Sequence, residues 1–139
     1  MSLYILDTDH VTFLEHKHPK VIKHAVDIGN DSLAITIITV EEQIRGRFST
    51  IRRLTKTAKI VRAYHDLLDT LSFLCKFQVI PFDQAAYEQF SMLRQQKIRI
   101  GTMDLRIGAI ALAHQAIVVT RNQRDFGQIP NVRLKDWTA

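Results

Sequence analysis

The chain has 139 residues, enough for one domain with a buried core, and 46% hydrophobic content with only 5 Gly and 3 Pro excludes the disordered and fibrous classes. No apolar run is long enough for a membrane span and no basic, apolar leader opens the sequence; with Cys75 as the lone cysteine, an internal disulfide is excluded and a cytoplasmic setting is expected. The net charge is +5, yet Arg45, Arg47, Arg52, Arg53, Lys56, Lys59 and Arg62 follow one another with no acid among them, a local concentration of the kind that phosphate attracts.

In chain order, Leu3–Asp7 is a short apolar run ending in an acid and reads as a buried strand. A short helix follows, with Val11 and Leu14 facing inward. Pro19 starts a second helix over Lys20–Ile28, closed by Gly29. Ser32–Ile37 reads as a strand, and Thr39 opens a helix to about Arg47. Ser49–Lys76 carries one long helical pattern, with Ile60, Tyr64, Leu67, Leu68, Leu71, Leu74 and Cys75 as its apolar stripe. Arg52, Lys56 and Lys59 fall on another face of it. Gln78–Ile80 is a short strand, and Asp83 caps a helix to about Gln96. Thr102 caps a helix over Met103–Gln115, Ala116–Thr120 is a β-branched strand, Asn122–Gly127 is a loop, and Val132–Leu134 is a last edge strand.

Strands alternating with helices over residues 1–139 predict a single α/β domain: three layers, α/β/α, around a short, mainly parallel sheet. Such sheets bind ligands beyond the carboxyl ends of their strands. Acids stand at those junctions. Asp7 ends the first strand with Asp9 close behind, Glu41 and Glu42 begin the helix after the second, Asp104 begins a helix, and Asn122 and Asp125 follow Thr120. Clustered carboxylates raise one another's pKa, and a divalent cation removes that cost. Oxygen donors without a Cys or paired-His motif select Mg²⁺ or Mn²⁺ over zinc. Such an ion activates water and stabilises charge on a phosphate, while nearby Lys and Arg hold neighbouring phosphates.

Each acid also has an ordinary structural reading. Thr39-x-x-Glu42 is a capping-box pattern, Asp104 suits the first turn of a helix, and Asp125 could pair with Arg121 or Arg124 in a turn. Asp7 is harder to explain that way, because an acid closing an apolar strand must be paired, hydrated or metal-bound. His16 and His18 lack a third ligand and read as solvated or helix-packing, and Cys75 reads as a small core residue.

Four blocks in order resemble the PIN-domain family. They are Leu6-Asp7-Thr8-Asp9, Thr36–Gly46 with Glu42 at the acidic position, Gly101–Ala111 containing Asp104, and Val118–Phe126 containing Thr120, Asn122 and Asp125. The resemblance to the VapC-like branch implies a Mg²⁺- or Mn²⁺-dependent endoribonuclease, the toxin of a type II toxin–antitoxin pair. Such proteins act on RNA, often tRNA or rRNA, are held inactive by a cognate antitoxin protein, and usually form homodimers. It implies that Asp7, Glu42, Asp104 and Asp125 are catalytic metal ligands, with Asn122 the alternative to Asp125 and with Asp9 and Thr120 in support. Arg45, Arg52, Lys56 and Lys59 are the candidates for RNA or antitoxin contact. Two positions depart from the family pattern: Gln43 replaces an apolar residue, and Asn122 stands where many members have Asp.

Two other readings compete. Asp7-Thr8-Asp9-His10-Val11 also fits the D-x-D opening of haloacid-dehalogenase-like phosphatases, although no later lysine and paired-acid motif follow convincingly. A catalytically inactive RNA- or protein-binding domain would carry the same acids as structural residues.

Overall fold

The computed structural model describes residues 2–139. Five short strands, β1 (Tyr4–Leu6), β2 (Leu33–Thr36), β3 (Gln78–Ile80), β4 (Ile117–Val119) and β5 (Arg133–Lys135), form one sheet in the order β3-β2-β1-β4-β5. Every pairing is parallel, with Ile5 beside Ala34 and Val118 across the centre. The helices are α1 (Thr8–Glu15), α2 (Pro19–Ile28), α3 (Ile37–Arg53), α4 (Thr57–Leu74), α5 (Gln84–Gln95), α6 (Thr102–His114) and α7 (Gln123–Phe126).

Alternation along the strands divides the core in two. Ile5, Ala34 and Val118 point to a layer built by α5 and α6 with Ile38 of α3. Leu6, Ile35 and Val119 point the other way, to Val11, Val21, Ala25, Leu74 and Trp137. This is the three-layer architecture that the alternating pattern predicts, with a sheet that is wholly parallel.

Several boundaries differ from the sequence reading, each for a local reason. The second strand stops at Thr36 because the Thr36 hydroxyl accepts the Thr39 N–H at 3.2 Å and caps α3. Thr39 therefore lies inside the helix, and the expected Thr39–Glu42 capping box does not form. Gly101, not Thr102, is the N-cap of α6, and the expected loop after Thr120 contains the one-turn helix α7, capped by Asn122.

The largest correction concerns the long helical pattern. Unbroken over Ser49–Lys76, it would run roughly 40 Å, past the edge of a domain this size. The chain instead becomes extended at Leu54 and Lys56, and α4 folds back on α3, where Arg47 Nε donates to Thr70 Oγ1 at 2.8 Å. Arg52 thus belongs to α3, while Lys56 and Lys59 belong to the cap and first turn of α4, so the three share no helix face. The apolar stripe is also reassigned. Ala63, Thr70 and Leu74 are the buried face of α4, whereas Tyr64, Leu68, Leu71 and Cys75 are exposed.

Helix α6 is buried nearly all round, and small residues let it approach its neighbours. A side chain at Gly108 would run into Ile129 Cδ1. Gly108→Val is therefore expected to lower the unfolding free energy by about 1–3 kcal/mol in urea titrations. Combined with Ile129→Ala, which has a cost of its own, the change should cost less than the sum of the two single variants; an unchanged midpoint for Gly108→Val would contradict the close packing.

Candidate active site

The strand order reverses between β1 and β4, which lead off to opposite sides of the sheet, so the loops leaving their carboxyl ends part and open a crevice. Asp7 leaves β1 there. It caps α1, and its carboxylate is buried between two donors, Thr8 N–H at 2.7 Å and Thr120 Oγ1 at 2.8 Å. Thr120, also buried, accepts the Asn122 N–H at 2.9 Å through the same hydroxyl. One threonine thus ties the end of β1 to the turn after β4.

The other acids arrive from separate elements. Thr8 Oγ1 donates to Glu42 Oε1 at 2.9 Å, which draws the second turn of α3 toward α1. Asp104 stands in the first turn of α6, and Asn122 Nδ2 lies 3.3 Å from Asp104 Oδ2 and 3.2 Å from Asp125 Oδ2. The Asn122 side-chain oxygen is occupied as the cap of α7, accepting Asp125 N–H at 3.3 Å. The amide therefore presents its donor end to two carboxylates, acting as a neutral spacer between like charges.

Electrostatics records the convergence. Burial pushes the Asp7 carboxyl up from 3.8 to about 6, with Asp9 and Asp104 adding to the rise against the hydrogen bonds from Thr120 and Thr8. Burial likewise raises Asp104 to about 6, and the charges of Glu42, Asp125 and Asp9 add to it. Asp7 and Asp104, distant in the chain, thus feel each other's charge. Among the described residues no three His, Cys, Asp or Glu side chains stand close enough together to hold a metal ion as they are placed. The carboxylates lie at the same end of the sheet, and their all-oxygen donor set suits a hard divalent cation such as Mg²⁺ or Mn²⁺ rather than zinc.

Asp9 has a different part. Its Oδ1 is 2.8 Å from His10 Nδ1 and its Oδ2 accepts the Arg121 N–H at 2.9 Å, so both oxygens are occupied. A carboxylate held this way is not a free general acid, which removes the second aspartate that a haloacid-dehalogenase-like reaction requires. His16 and His18 join no metal cluster; His18 caps α2 by accepting the Val21 N–H at 3.5 Å.

The basic segment is partly spent on internal contacts. Arg45 pairs with Glu41 at 2.6 Å, Arg53 donates to the Ser49 carbonyl, and Arg62 pairs with Asp66. Arg52, Lys56 and Lys59 are exposed. Sequence reading overlooked other cations. Arg94 and Arg106 each lie 5.5 Å from the Phe90 ring, two positions from Asp104 in the case of Arg106, and Arg121 lies over Phe13. Phe90 and Arg94 stand four apart on α5, a spacing the sequence does show, whereas the Arg106 and Arg121 contacts join separate elements and have no sequence signal.

Residues 4–132 match the family described as PIN domain. The chain is 29% identical over 138 residues to Ribonuclease VapC1 of Haemophilus influenzae, covering 98% of both proteins. It is 26% identical over 141 residues to a tRNA(fMet)-specific endonuclease VapC of Salmonella typhimurium, covering 99% of both. Among solved structures, a toxin–antitoxin complex from Klebsiella pneumoniae superposes with a TM-score of 0.68 at 26% identity, covering 93% of this chain and 94% of that one.

The raised carboxyls give a signed stability effect. A folded-state pKa above the unfolded one favours folding below about pH 4 and loses that advantage as pH rises through about 6. In metal-free buffer, Asp104→Asn should therefore be more stable than the parent at pH 7.5, by about 1 kcal/mol after allowance for its partial exposure. The gap should close below pH 4 in parallel thermal melts; a pH-independent difference would contradict the repulsion.

Proposed function

This chain belongs to the PIN-domain family, and from that premise we propose that it is a divalent-metal-dependent endoribonuclease, the toxin of a toxin–antitoxin pair. The observation that carries the reading is the approach of the acids beyond β1 and β4: Thr8 joins Asp7 to Glu42, and the Asn122 amide joins Asp104 to Asp125. The relatives named ribonuclease and endonuclease over nearly the full chain supply the substrate class, RNA. A tRNA is the substrate the second of those names points to.

Asp7, Glu42, Asp104 and Asp125 would hold Mg²⁺ or Mn²⁺. When bound, the ion supplies Lewis acidity to the scissile phosphate and a lowered pKa to water. The protein's own contribution is orientation. Thr8 and Thr120 fix the two Asp7 oxygens, Thr8 also fixes Glu42, and Asn122 holds Asp104 and Asp125 apart. Because the Asn122 oxygen serves as a helix cap, Asp125 is the better fourth ligand and Asn122 the supporting residue. Arg52, Lys56 and Lys59, with Arg45 if it is released from Glu41, are placed to contact RNA phosphates or an antitoxin.

Protein partners fit the outer surface. Phe48, Val61, Tyr64, Leu68 and Leu71 leave apolar side chains on α3 and α4 exposed to water. We assign that face to a homodimer contact or to an antitoxin, since the chain resembles one solved as a toxin–antitoxin complex. Among the described residues no helix is long and apolar enough to cross a membrane.

The test is cleavage of a labelled tRNA pool with Mn²⁺, Mg²⁺ or EDTA. Cutting should require the metal. Asp7→Asn should reduce the rate by about 100-fold or more while circular dichroism stays unchanged. Metal-independent cutting, or full activity in Asp7→Asn, would overturn the proposal.

A further inference from the structure

One imidazole joins the C-terminal segment to the acid cluster. His10 is fully buried, and both of its ring nitrogens are used. Nε2 lies 3.1 Å from the Trp137 N–H and accepts from it, so that nitrogen carries no proton. The proton is then on Nδ1, which donates to Asp9 Oδ1 at 2.8 Å. Asp136 Oδ1 is also 3.5 Å from Nε2, but it already accepts from both the N–H and the hydroxyl of Thr138.

Asp9 passes the constraint on. Its second oxygen holds the Arg121 N–H, and Arg121 leads directly into Asn122, the spacer between Asp104 and Asp125. Beyond the imidazole, Trp137 is buried, stacked on His24 at 5.4 Å and tilted against Tyr4 at 5.8 Å. A chain of contacts therefore runs from the last turn of the protein to the crevice through His10, beside the backbone bond from Thr120 N–H to the Lys135 carbonyl at 2.9 Å.

We infer that His10 is a positioning residue: it aims Asp9 at the Arg121–Asn122 turn, and it makes the docked Trp137 segment part of the active-site framework. This rests on the reading of the crevice as a metal-dependent ribonuclease centre. The need is physical. Asp9 is repelled by Asp7 and Asp104, and a carboxylate in such a field stays put only where donors hold it. Without the imidazole donor it would keep one N–H partner and swing, leaving the turn that carries Asn122 to its bonds with Thr120 and shifting the amide between Asp104 and Asp125.

Two substitutions separate the halves of the ring. His10→Asn keeps an N–H near the place of Nδ1 and gives up the acceptor for Trp137. His10→Gln reaches the Trp137 N–H and withdraws the donor from Asp9. Trp137 is the only tryptophan in the chain, so its emission reports docking of the segment directly.

His10→Gln should lower kcat for RNA cleavage about 10-fold or more, with KM little changed and Trp137 emission as in the parent. Its Mn²⁺ affinity, read by calorimetry, should fall about 10-fold. His10→Asn should restore most of kcat while Trp137 emission shifts to the red. In the background of Asp9→Ala, His10→Gln should cost little more, since both act through one carboxylate. That comparison holds even where the single variants lose stability.

Parent-like kcat and Mn²⁺ affinity in His10→Gln, or full additivity with Asp9→Ala, would overturn the positioning role alone. A wild-type protein that neither binds Mn²⁺ nor cuts RNA would overturn the underlying reading, and this inference with it.

Discussion

Like charges forced together at the crevice between β1 and β4 govern the rest of the molecule. Four carboxylates from four parts of the chain approach a single opening, and a fifth, Asp9, stands behind them. Left alone they would push apart or take up protons; burial first, and the neighbouring charges after it, raise Asp7 and Asp104 to about 6. The fold answers with neutral donors instead of cations. Thr8, Thr120 and the Asn122 amide each give a hydrogen bond to the cluster and occupy none of its charge. The negative field is therefore preserved for a ligand that brings its own positive charge.

The scaffold is stiff where that strain is stored. β1 and β4 are central strands with neighbours on both sides, and their alternate residues lock into two separate cores. Asp7 and Thr120 follow directly from those strands, so their positions are set by the sheet and not by loop chemistry. Asp104 rides on α6, whose small residues allow a close seat under the sheet. The less rigid members, Asn122 and Asp125, sit on a one-turn helix, and their position depends on Thr120, on the Arg121 N–H and on Asp9. Phe126 anchors that short helix in the core, while its first residues depend on hydrogen bonds, the natural place for a constraint that reaches the site from a distance.

Much of this was legible in the residues. An acid at the end of an apolar run marked Asp7, strand–helix alternation gave the three-layer fold, and Asp83 was recognisable as a cap, which it is, accepting from Ala86 N–H. What stayed hidden follows from two causes. Hydrophobic periodicity shows that a face is apolar but not whether this chain covers it, so the stripe through Tyr64, Leu68 and Leu71 read as core and proved exposed. The break at Leu54–Lys56 has no Gly or Pro to announce it and is imposed by the packing of α4 on α3. Contacts of great sequence separation were equally silent. Nothing near His10 points to Trp137, 127 residues away, or makes its burial foreseeable.

The claim that the carboxylates meet around a cation is tested most directly by crystals grown with Mn²⁺ and measured for anomalous scattering. The account predicts a peak in the crevice, about 2.0–2.3 Å from oxygens of Asp7 and Asp104, with Asp125 or Glu42 in the same shell. A map with no peak there at saturating Mn²⁺, or with these side chains turned to separate surfaces, would contradict it.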